Sequence, residues 1–198
     1  MQFDLGGKVI KQLPYGNGHI NDTYLLTIQK EDGTEGRVIL QRMNRSIFTK
    51  PVELMENIMG VTSFLREKII ANGGDQNRET LNVIPAKDGK PYAVDVDGEY
   101  WRCFSFIEGT TSYDQVEDFY ESAVAFGNFQ RLLADYPAET LHETIVGFHD
   151  TKARFEVFKK AVEEDVCGRA DSVREEIEFV LAHEDVANVF GDLLAKGE

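Results

Sequence analysis

The first residues whose types suit chemistry form a glycine-containing stretch near the N-terminus. It reads Gly16-Asn17-Gly18-His19-Ile20-Asn21-Asp22-Thr23 and lies between two runs with strand-like alternation. Glycine has no Cβ, so backbone amides at the tip of a hairpin can approach an anion closely. The stretch has no lysine–serine or lysine–threonine pair, and no helix follows it, unlike a P-loop. These residues alone leave both an ordinary turn and a phosphate-covering hairpin open.

A second candidate is the end of a β-branched run, where Gln41 and Arg42 are adjacent. The run resembles the third strand of a protein-kinase-like small lobe, in which a cationic side chain pairs with the nucleotide phosphates. Because side chains alternate along a strand, only one of the two residues can face the phosphates. By residue type we favour Arg42, and Gln41 stays open. A carboxylate of the following helix, Glu53 or Glu56, would hold the cation in place.

The third candidate is an apolar strand that begins at Trp101 and runs through Phe106 and Ile107 into Glu108 and Gly109. In a two-lobed kinase this segment is the hinge, whose backbone groups hydrogen-bond the adenine edge. An ordinary buried strand is the alternative.

Hydrophobic periodicity predicts the elements that must position these residues. About five antiparallel strands are predicted, drawn from residues 8–13, 23–28, 37–43, 83–84, 92–94 and 100–107. Asp-Gly pairs at 32–33, 88–89 and 97–98 predict type I′ hairpin turns. Residues 51–71 have helical spacing, and the helical period returns after Gly109 in segments around 116–133, 155–162, 173–181 and 186–193. The predicted fold is α+β, with a small antiparallel sheet and one inserted helix over 1–109, followed by helices over 110–198.

Charge and composition exclude several classes of function. The 198 residues include 35 acidic and 21 basic side chains, which gives a net charge of −14. So negative a surface repels phosphate backbones and anionic lipid, so we expect neither nucleic acid nor membrane partners. The sequence has no long apolar run and no secretory signal pattern at its start. Cys103 and Cys167 suit two reduced thiols, and together these features favour a cytoplasmic location.

The order of the motifs resembles the aminoglycoside phosphotransferase and choline kinase superfamily, and within it the N-acetylhexosamine 1-kinase branch. The resemblance is carried by residues 15–24, 39–44 and 106–109, with further similarity at 51–58, at 126–129 and at 147–151 with Arg154. It implies a bilobal fold, with a kinase-like small lobe over 1–109 and the helical start of a large lobe over 110–198. It also implies transfer of the γ-phosphoryl group of ATP, with Mg²⁺, to a sugar hydroxyl. In that branch the acceptor is the anomeric hydroxyl of N-acetylglucosamine or N-acetylgalactosamine.

The resemblance also implies roles for individual residues. Those that would bind the nucleotide are Gly16, Asn17, Gly18, His19 and Asn21 over the phosphates, Gln41 or Arg42 at the strand position, and Phe106, Ile107 and Glu108 around adenine. Those that would lie near the sugar are His149, Asp150 and Arg154. Asp150 stands at the start of a predicted helix, so a helix N-cap is the alternative, and we favour it slightly.

A kinase catalytic loop needs a His-x-Asp, an asparagine a few residues later and a separate metal-binding aspartate. His183, Asp185 and Asn188 approach this spacing, but they lie in an acidic helical run. We therefore expect a chain truncated before its catalytic loop, with no catalytic residue and no metal ligand of its own, inactive alone and weak in ATP binding. Uncovered apolar side chains such as Phe190 and Leu194 would favour self-association.

Two other functions stay open. A kinase for another small alcohol, such as choline, homoserine or an aminoglycoside, would share these motifs. A non-catalytic binding module would have the same sheet and would never transfer phosphate.

Overall fold

The structure is a computed structural model that describes residues 2–110 and 119–197. It is α+β, with an antiparallel sheet followed by helices, as the sequence predicts. The identity of this sheet with a kinase small lobe stays a prediction.

Six strands form one antiparallel sheet in the described part of the chain. They are β1 (Gly7–Pro14), β2 (Asp22–Lys30), β3 (Glu35–Arg42), β4 (Val83–Ile84), β5 (Ala93–Val94) and β6 (Tyr100–Ser105). The strand order is β1-β2-β3-β6-β4, and β5 also pairs with β6. The pairing of β3 with β6 brings the segment after residue 105 next to the start of β3.

The three Asp-Gly pairs are turns, but the prediction of type I′ geometry is wrong. Gly33, Gly89 and Gly98 have φ values of +81°, +84° and +80°, whereas Asp165 is the single non-glycine residue of the described chain with positive φ. In the first of these turns the aspartate side chain accepts a backbone hydrogen bond: Asp32 Oδ1 accepts from the Thr34 N–H at 2.9 Å. This side-chain bond stabilises a turn in which glycine alone needs the left-handed conformation.

One face of the sheet, which we call the core face, carries the main hydrophobic cluster. Alternate residues of β2 and β3 point into it, because successive side chains of a strand point to opposite sides. Its buried members are Phe3, Leu26, Ile28, Val38, Leu40, Ala86, Ala93 and Cys103. Phe3 reaches this cluster from the N-terminal segment, where it forms a β-bridge with Ala86.

The first helix, α1 (Pro51–Ala71), has the bounds that the sequence predicts. Proline suits its first turn because the missing N–H has no helical partner there. Gly73, at φ +75°, follows its end, and the Gly74 N–H donates to the Ile69 carbonyl at 2.9 Å. Leu65 and Ile69 of α1 are buried with Leu132, the last residue of α2 (Phe119–Leu132).

The chain divides into two compact units, Met1–Thr144 and Ile145–Glu198. The first unit contains α2, since Leu132 packs on α1. The second unit contains α3 (Thr151–Glu164), α4 (Arg174–Leu181) and α5 (Glu184–Lys196). The boundary predicted near Gly109 would divide the small lobe of a kinase from its large lobe, and it stays a prediction. Every described helix is too short or too polar to cross a lipid bilayer.

Candidate functional site

The glycine-containing stretch is the loop between β1 and β2, as predicted. The Tyr15 N–H donates to the Thr23 carbonyl at 2.9 Å, which closes the hairpin, and Gly16 follows at φ +80°, a conformation that favours glycine. Asn21 Oδ1 accepts a hydrogen bond from the Asn44 N–H at 3.0 Å. The loop is thereby fastened to the residues that follow β3.

The tip of this hairpin and the end of β3 share a hollow of about 350 Å³. Its lining is mostly polar and consists of His19, Ile20, Asp22, Arg42, Met43, Asn44, Arg45, Ser46 and Glu99. The hollow contains cationic and anionic side chains in similar number, so its charge is close to balanced.

Gln41 and Arg42 lie on opposite faces of the sheet, as alternation requires. Arg42 pairs in register with Asp22 on β2 and with Trp101 on β6, on the same face as buried Leu40. Its guanidinium binds the Asp22 carboxylate, with Nε 2.7 Å from Oδ2. This hydrogen bond is the main cause that raises the pKa of Arg42.

The expectation that a carboxylate of α1 holds the cation of β3 is wrong. Asp22 of β2 holds Arg42 instead. Glu53 forms an ion pair with Lys50, and Oε2 of Glu56 lies 2.8 Å from Nε2 of the His142 ring. Both acids therefore have other partners: Glu53 binds Lys50 at the start of α1, and Glu56 contacts His142 in the segment that follows α2.

On the other face, Thr23, Gln41 and Arg102 form one polar row across β2, β3 and β6. Gln41 Nε2 donates to Thr23 Oγ1 at 2.9 Å, and Arg102 Nε donates to Gln41 Oε1 at 3.0 Å. All three side chains are half-buried. Burial lowers the pKa of the Arg102 guanidinium. Among the described residues, no carboxylate forms an ion pair with Arg102.

Next to the polar row, the same face carries an apolar row. Leu13, Leu25, Ile39 and Phe104 pair with one another in register from β1 to β6. Phe104 is buried, Leu25 and Ile39 are half-buried, and Leu13 is exposed. We call the surface made by these two rows the Gln41 face.

Residues 106–108 are held at one end of the Gln41 face by two arginines. The Phe106 N–H donates to the Arg37 carbonyl at 3.2 Å, and the Arg37 guanidinium stacks 4.3 Å from the centre of the Phe106 ring. Arg37 Nε also donates to Glu108 Oε1 at 2.8 Å, and Arg78 Nη1 donates to the Glu108 carbonyl at 2.7 Å. The hydrogen bond from Arg37 lowers the pKa of Glu108.

The hairpin meets this segment through two aromatic rings. Tyr15 and Phe106 have ring centres 5.7 Å apart and planes at 82°, an edge-to-face contact. Ile107 is tied locally, since its carbonyl accepts from Thr110 Oγ1 at 3.3 Å. The hairpin therefore contacts two segments that are far from it in sequence: residues 106–108, which lie beside the start of β3, and the residues that follow β3.

The residues expected near the sugar lie in the second unit. Asp150 is the N-cap of α3, and its Oδ1 accepts from the Ala153 N–H at 2.9 Å, so the N-cap interpretation is confirmed. Arg154 Nε donates to the Phe148 carbonyl at 2.6 Å, and the His149 ring packs edge-on against Phe148. These contacts form a local helix-start structure, and a role in sugar binding stays a prediction.

The three residues that approach catalytic-loop spacing lie at the start of and inside α5. Asp185 and Asn188 lie inside α5, where Asn188 Nδ2 donates to the Glu184 carbonyl at 3.2 Å, and His183 is the residue before the helix. Within 2–110 and 119–197, no three histidine, cysteine, aspartate or glutamate side chains are grouped so that they could hold a metal ion.

Sequence reasoning missed Arg102, although a signal for it was present. Arg102 is the only charged residue between Trp101 and Ile107, in an otherwise largely apolar strand. A cation within such a strand must find a polar partner or a ligand. The register that makes Gln41 its partner depends on how β3 pairs with β6, which periodicity does not give.

No model of a known protein family matches the sequence. The assignment of a function therefore depends on the geometry of the Gln41 face and of residues 106–108.

Proposed function

We propose that this chain is the nucleotide-binding part of an ATP-dependent small-molecule kinase that phosphorylates the anomeric hydroxyl of an N-acetylhexosamine. The observation that carries this proposal is that Tyr15, Gln41 and Phe106 lie on one face of the sheet, where the rings of Tyr15 and Phe106 are in contact. They come from the hairpin, the third strand and the hinge-like segment. A kinase small lobe uses these three elements for phosphates and base.

The base would bind against the apolar row of the Gln41 face, beside Phe106. A purine is flat and apolar on its faces, so half-buried Leu25 and Ile39 suit it. The Phe106 carbonyl and the Glu108 N–H have no hydrogen-bond partner among the described residues. They offer one acceptor and one donor, two residues apart, to the edge of an adenine.

The phosphates would lie toward the glycine-containing hairpin, at the polar end of the same face. Gln41 shares this face with Phe106, whereas Arg42 is bound to Asp22 on the opposite face. The geometry therefore supports Gln41 at the strand position, although residue type favours Arg42. Mg²⁺ would arrive with the nucleotide, and its protein ligands are expected outside the described residues.

The acceptor is supported by the resemblance to the N-acetylhexosamine 1-kinase branch, with His149, Asp150 and Arg154 as the expected sugar-side residues. Choline, homoserine and aminoglycosides are the alternative acceptors.

The proposed nucleotide site is tested by NMR titration of the ¹⁵N-labelled chain with a non-hydrolysable ATP analogue and Mg²⁺. We expect saturable shifts at Leu25, Ile39, Gln41 and residues 106–108. The substitution Phe106→Ala should weaken binding, and Phe148→Ala, in the second unit, is the matched control. Shifts that are absent from these residues, or confined to the second unit, would contradict the proposal.

A transfer assay tests the kinase assignment. With ATP, Mg²⁺ and N-acetylglucosamine or N-acetylgalactosamine, we expect this chain alone to produce no sugar phosphate. Turnover would show that the catalytic groups lie within these 198 residues. If a longer protein that contains this chain binds nucleotide saturably but transfers phosphate to none of the acceptors named above, the non-catalytic module is favoured.

A further inference from the structure

We propose that Arg102 of β6 is the cation that binds the phosphate groups of the nucleotide, and that Gln41 sets the direction of its guanidinium. This inference rests on the proposed function. It assigns the positive charge of the site to β6, whereas the sequence led us to expect that charge on the neighbouring strand, β3.

The position of Arg102 suits that role. Its strand partner is Gln41, and the next residue across the sheet is Thr23, at the base of the glycine-containing hairpin. Its guanidinium carbon lies 5.2 Å from the centre of the Phe104 ring, on the Gln41 face. Arg102 therefore stands at the polar end of the face that carries the candidate base site.

The charge of Arg102 is not balanced within the described chain. Arg37 and Arg42, the other two arginines that lie on the strands of this sheet, each bind a carboxylate, Glu108 and Asp22. Among the described residues, the neutral oxygen of Gln41 is the only hydrogen-bond acceptor of Arg102. A half-buried cation without a counterion is costly to the folded state, and such groups concentrate at binding sites for ions of the opposite sign.

Within the described residues, the single side-chain hydrogen bond of Arg102 engages Nε and neither Nη group. An arginine side chain has five N–H groups, and Nε is engaged with Gln41. Both Nη atoms have no acceptor among the described residues, and together they form the planar fork that binds a phosphate through two parallel hydrogen bonds. The Phe104 ring and the Gln41 oxygen restrict the guanidinium to one orientation.

This arrangement also gives a reason for a glutamine at position 41. A neutral amide can accept from Arg102 with its oxygen and donate to Thr23 Oγ1 with its nitrogen. A lysine at this position would place a second positive charge beside Arg102 and could not accept a hydrogen bond from it. The glutamine and the arginine together would replace the single lysine of protein kinases.

The inference is tested by comparing three ligands: ATP, adenosine and inorganic triphosphate. Dissociation constants are measured by NMR titration for the wild-type chain and for Arg102→Gln, Arg102→Lys and Arg42→Gln. We expect Arg102→Gln to weaken binding of ATP and triphosphate about 10-fold or more, the loss typical of a charged hydrogen bond, with adenosine binding unchanged. Arg102→Lys should retain part of the affinity, and Arg42→Gln should change none of the three constants by more than about twofold.

The outcomes separate this inference from the function on which it rests. Wild-type protein that binds neither adenosine nor ATP would overturn both. Protein in which Arg102→Gln binds ATP as tightly as wild type, or in which Arg42→Gln alone loses ATP affinity, would overturn the role of Arg102 and leave the nucleotide site in place.

A measurement on the wild-type protein covers the case in which Arg102→Gln does not fold. The Nε–H signal of Arg102, identified by its loss in Arg102→Lys, should shift on addition of triphosphate or ATP. In Gln41→Leu the same signal should move before any ligand is added, because its acceptor is gone. A signal that triphosphate leaves unchanged in the wild type would contradict the proposal.

Discussion

Gln41 Oε1 accepts a hydrogen bond from Arg102 Nε at 3.0 Å, across the pairing of β3 with β6. The neighbour of Gln41, Arg42, is on the other side of the sheet and is bound to Asp22. Two adjacent residues of one strand thus lie in different electrostatic environments. Arg42 belongs to a neutralised pair, and Gln41 supports a guanidinium that has no counterion among the described residues.

Because the positive charge of Arg102 has no counterion among the described residues, we expect it to lower the stability of the fold. Replacing Arg102 with methionine removes a half-buried cation and keeps much of the side-chain volume. We expect the free energy of unfolding to rise by about 1 kcal/mol, and Tm to rise by about 3 °C, in the absence of ligand. Thermal unfolding followed by circular dichroism measures this change.

The matched control is Arg42→Met, which removes an exposed, paired arginine from the same sheet. It should leave Tm nearly unchanged or lower it, since exposed ion pairs contribute little. If Arg102→Met lowered Tm by several degrees, Arg102 would be a structural residue of the sheet rather than a cation held ready for a ligand.

Much of the sheet was predictable from the sequence because local rules decide it. The β-branched and apolar runs at residues 23–28 and 37–43 indicated β2 and β3, and proline at position 51 indicated the start of α1. The turn positions followed from the Asp-Gly pairs. The backbone type of these turns did not follow from the Asp-Gly pairs, because the Asp32 side chain accepts a hydrogen bond from the Thr34 N–H and stabilises a different turn.

The charge pattern of the candidate site was less predictable, since it depends on pairing between distant strands. Alternation predicts that Gln41 and Arg42 face opposite ways, but it does not say which face Phe106 shares. That relationship needs the register of β3 with β6, which joins residues about 60 positions apart. Asp22 as the partner of Arg42 is likewise a consequence of register, so the acids of α1 were a wrong expectation.

The ion pair at residues 106–108 predicts a pH dependence. Because Arg37 lowers the pKa of Glu108, the interaction is fully present above the ordinary pKa of a glutamate and is lost as the pH falls through the lowered value. We expect a carbon-detected NMR titration to show Glu108 protonating at a lower pH than exposed glutamates of the chain. Nearby signals of Phe106 should change in the same pH range.

The substitution Arg37→Gln should return the pKa of Glu108 toward its ordinary value. Lys50→Gln, which removes the partner of Glu53 far along the chain, is the control and should leave Glu108 unchanged. An unaltered Glu108 titration in Arg37→Gln would show that Arg37 does not hold residues 106–108 in solution.

The two cysteines should differ sharply in reactivity. Cys103 is fully buried on the core face, and burial raises the pKa of its thiol to about 12, whereas Cys167 is exposed. Because the thiolate is the reactive form, a disulfide reagent at pH 8 should modify one thiol quickly and the second only on unfolding. In Cys167→Ser the fast phase should disappear, and a fast phase that persists there would contradict the burial of Cys103.

Asp150 offers a test that separates the capping oxygen from the negative charge at the start of α3. Asp150→Ala removes the acceptor of the Ala153 N–H, which should cost about 1 kcal/mol and speed hydrogen exchange of the first amides of α3 about fivefold. Asp150→Asn is the matched control, because asparagine caps a helix as well as aspartate does, and exchange should stay near the wild-type rate. Exchange as fast in Asp150→Asn as in Asp150→Ala would mean that the negative charge, and not the capping oxygen, matters at this position.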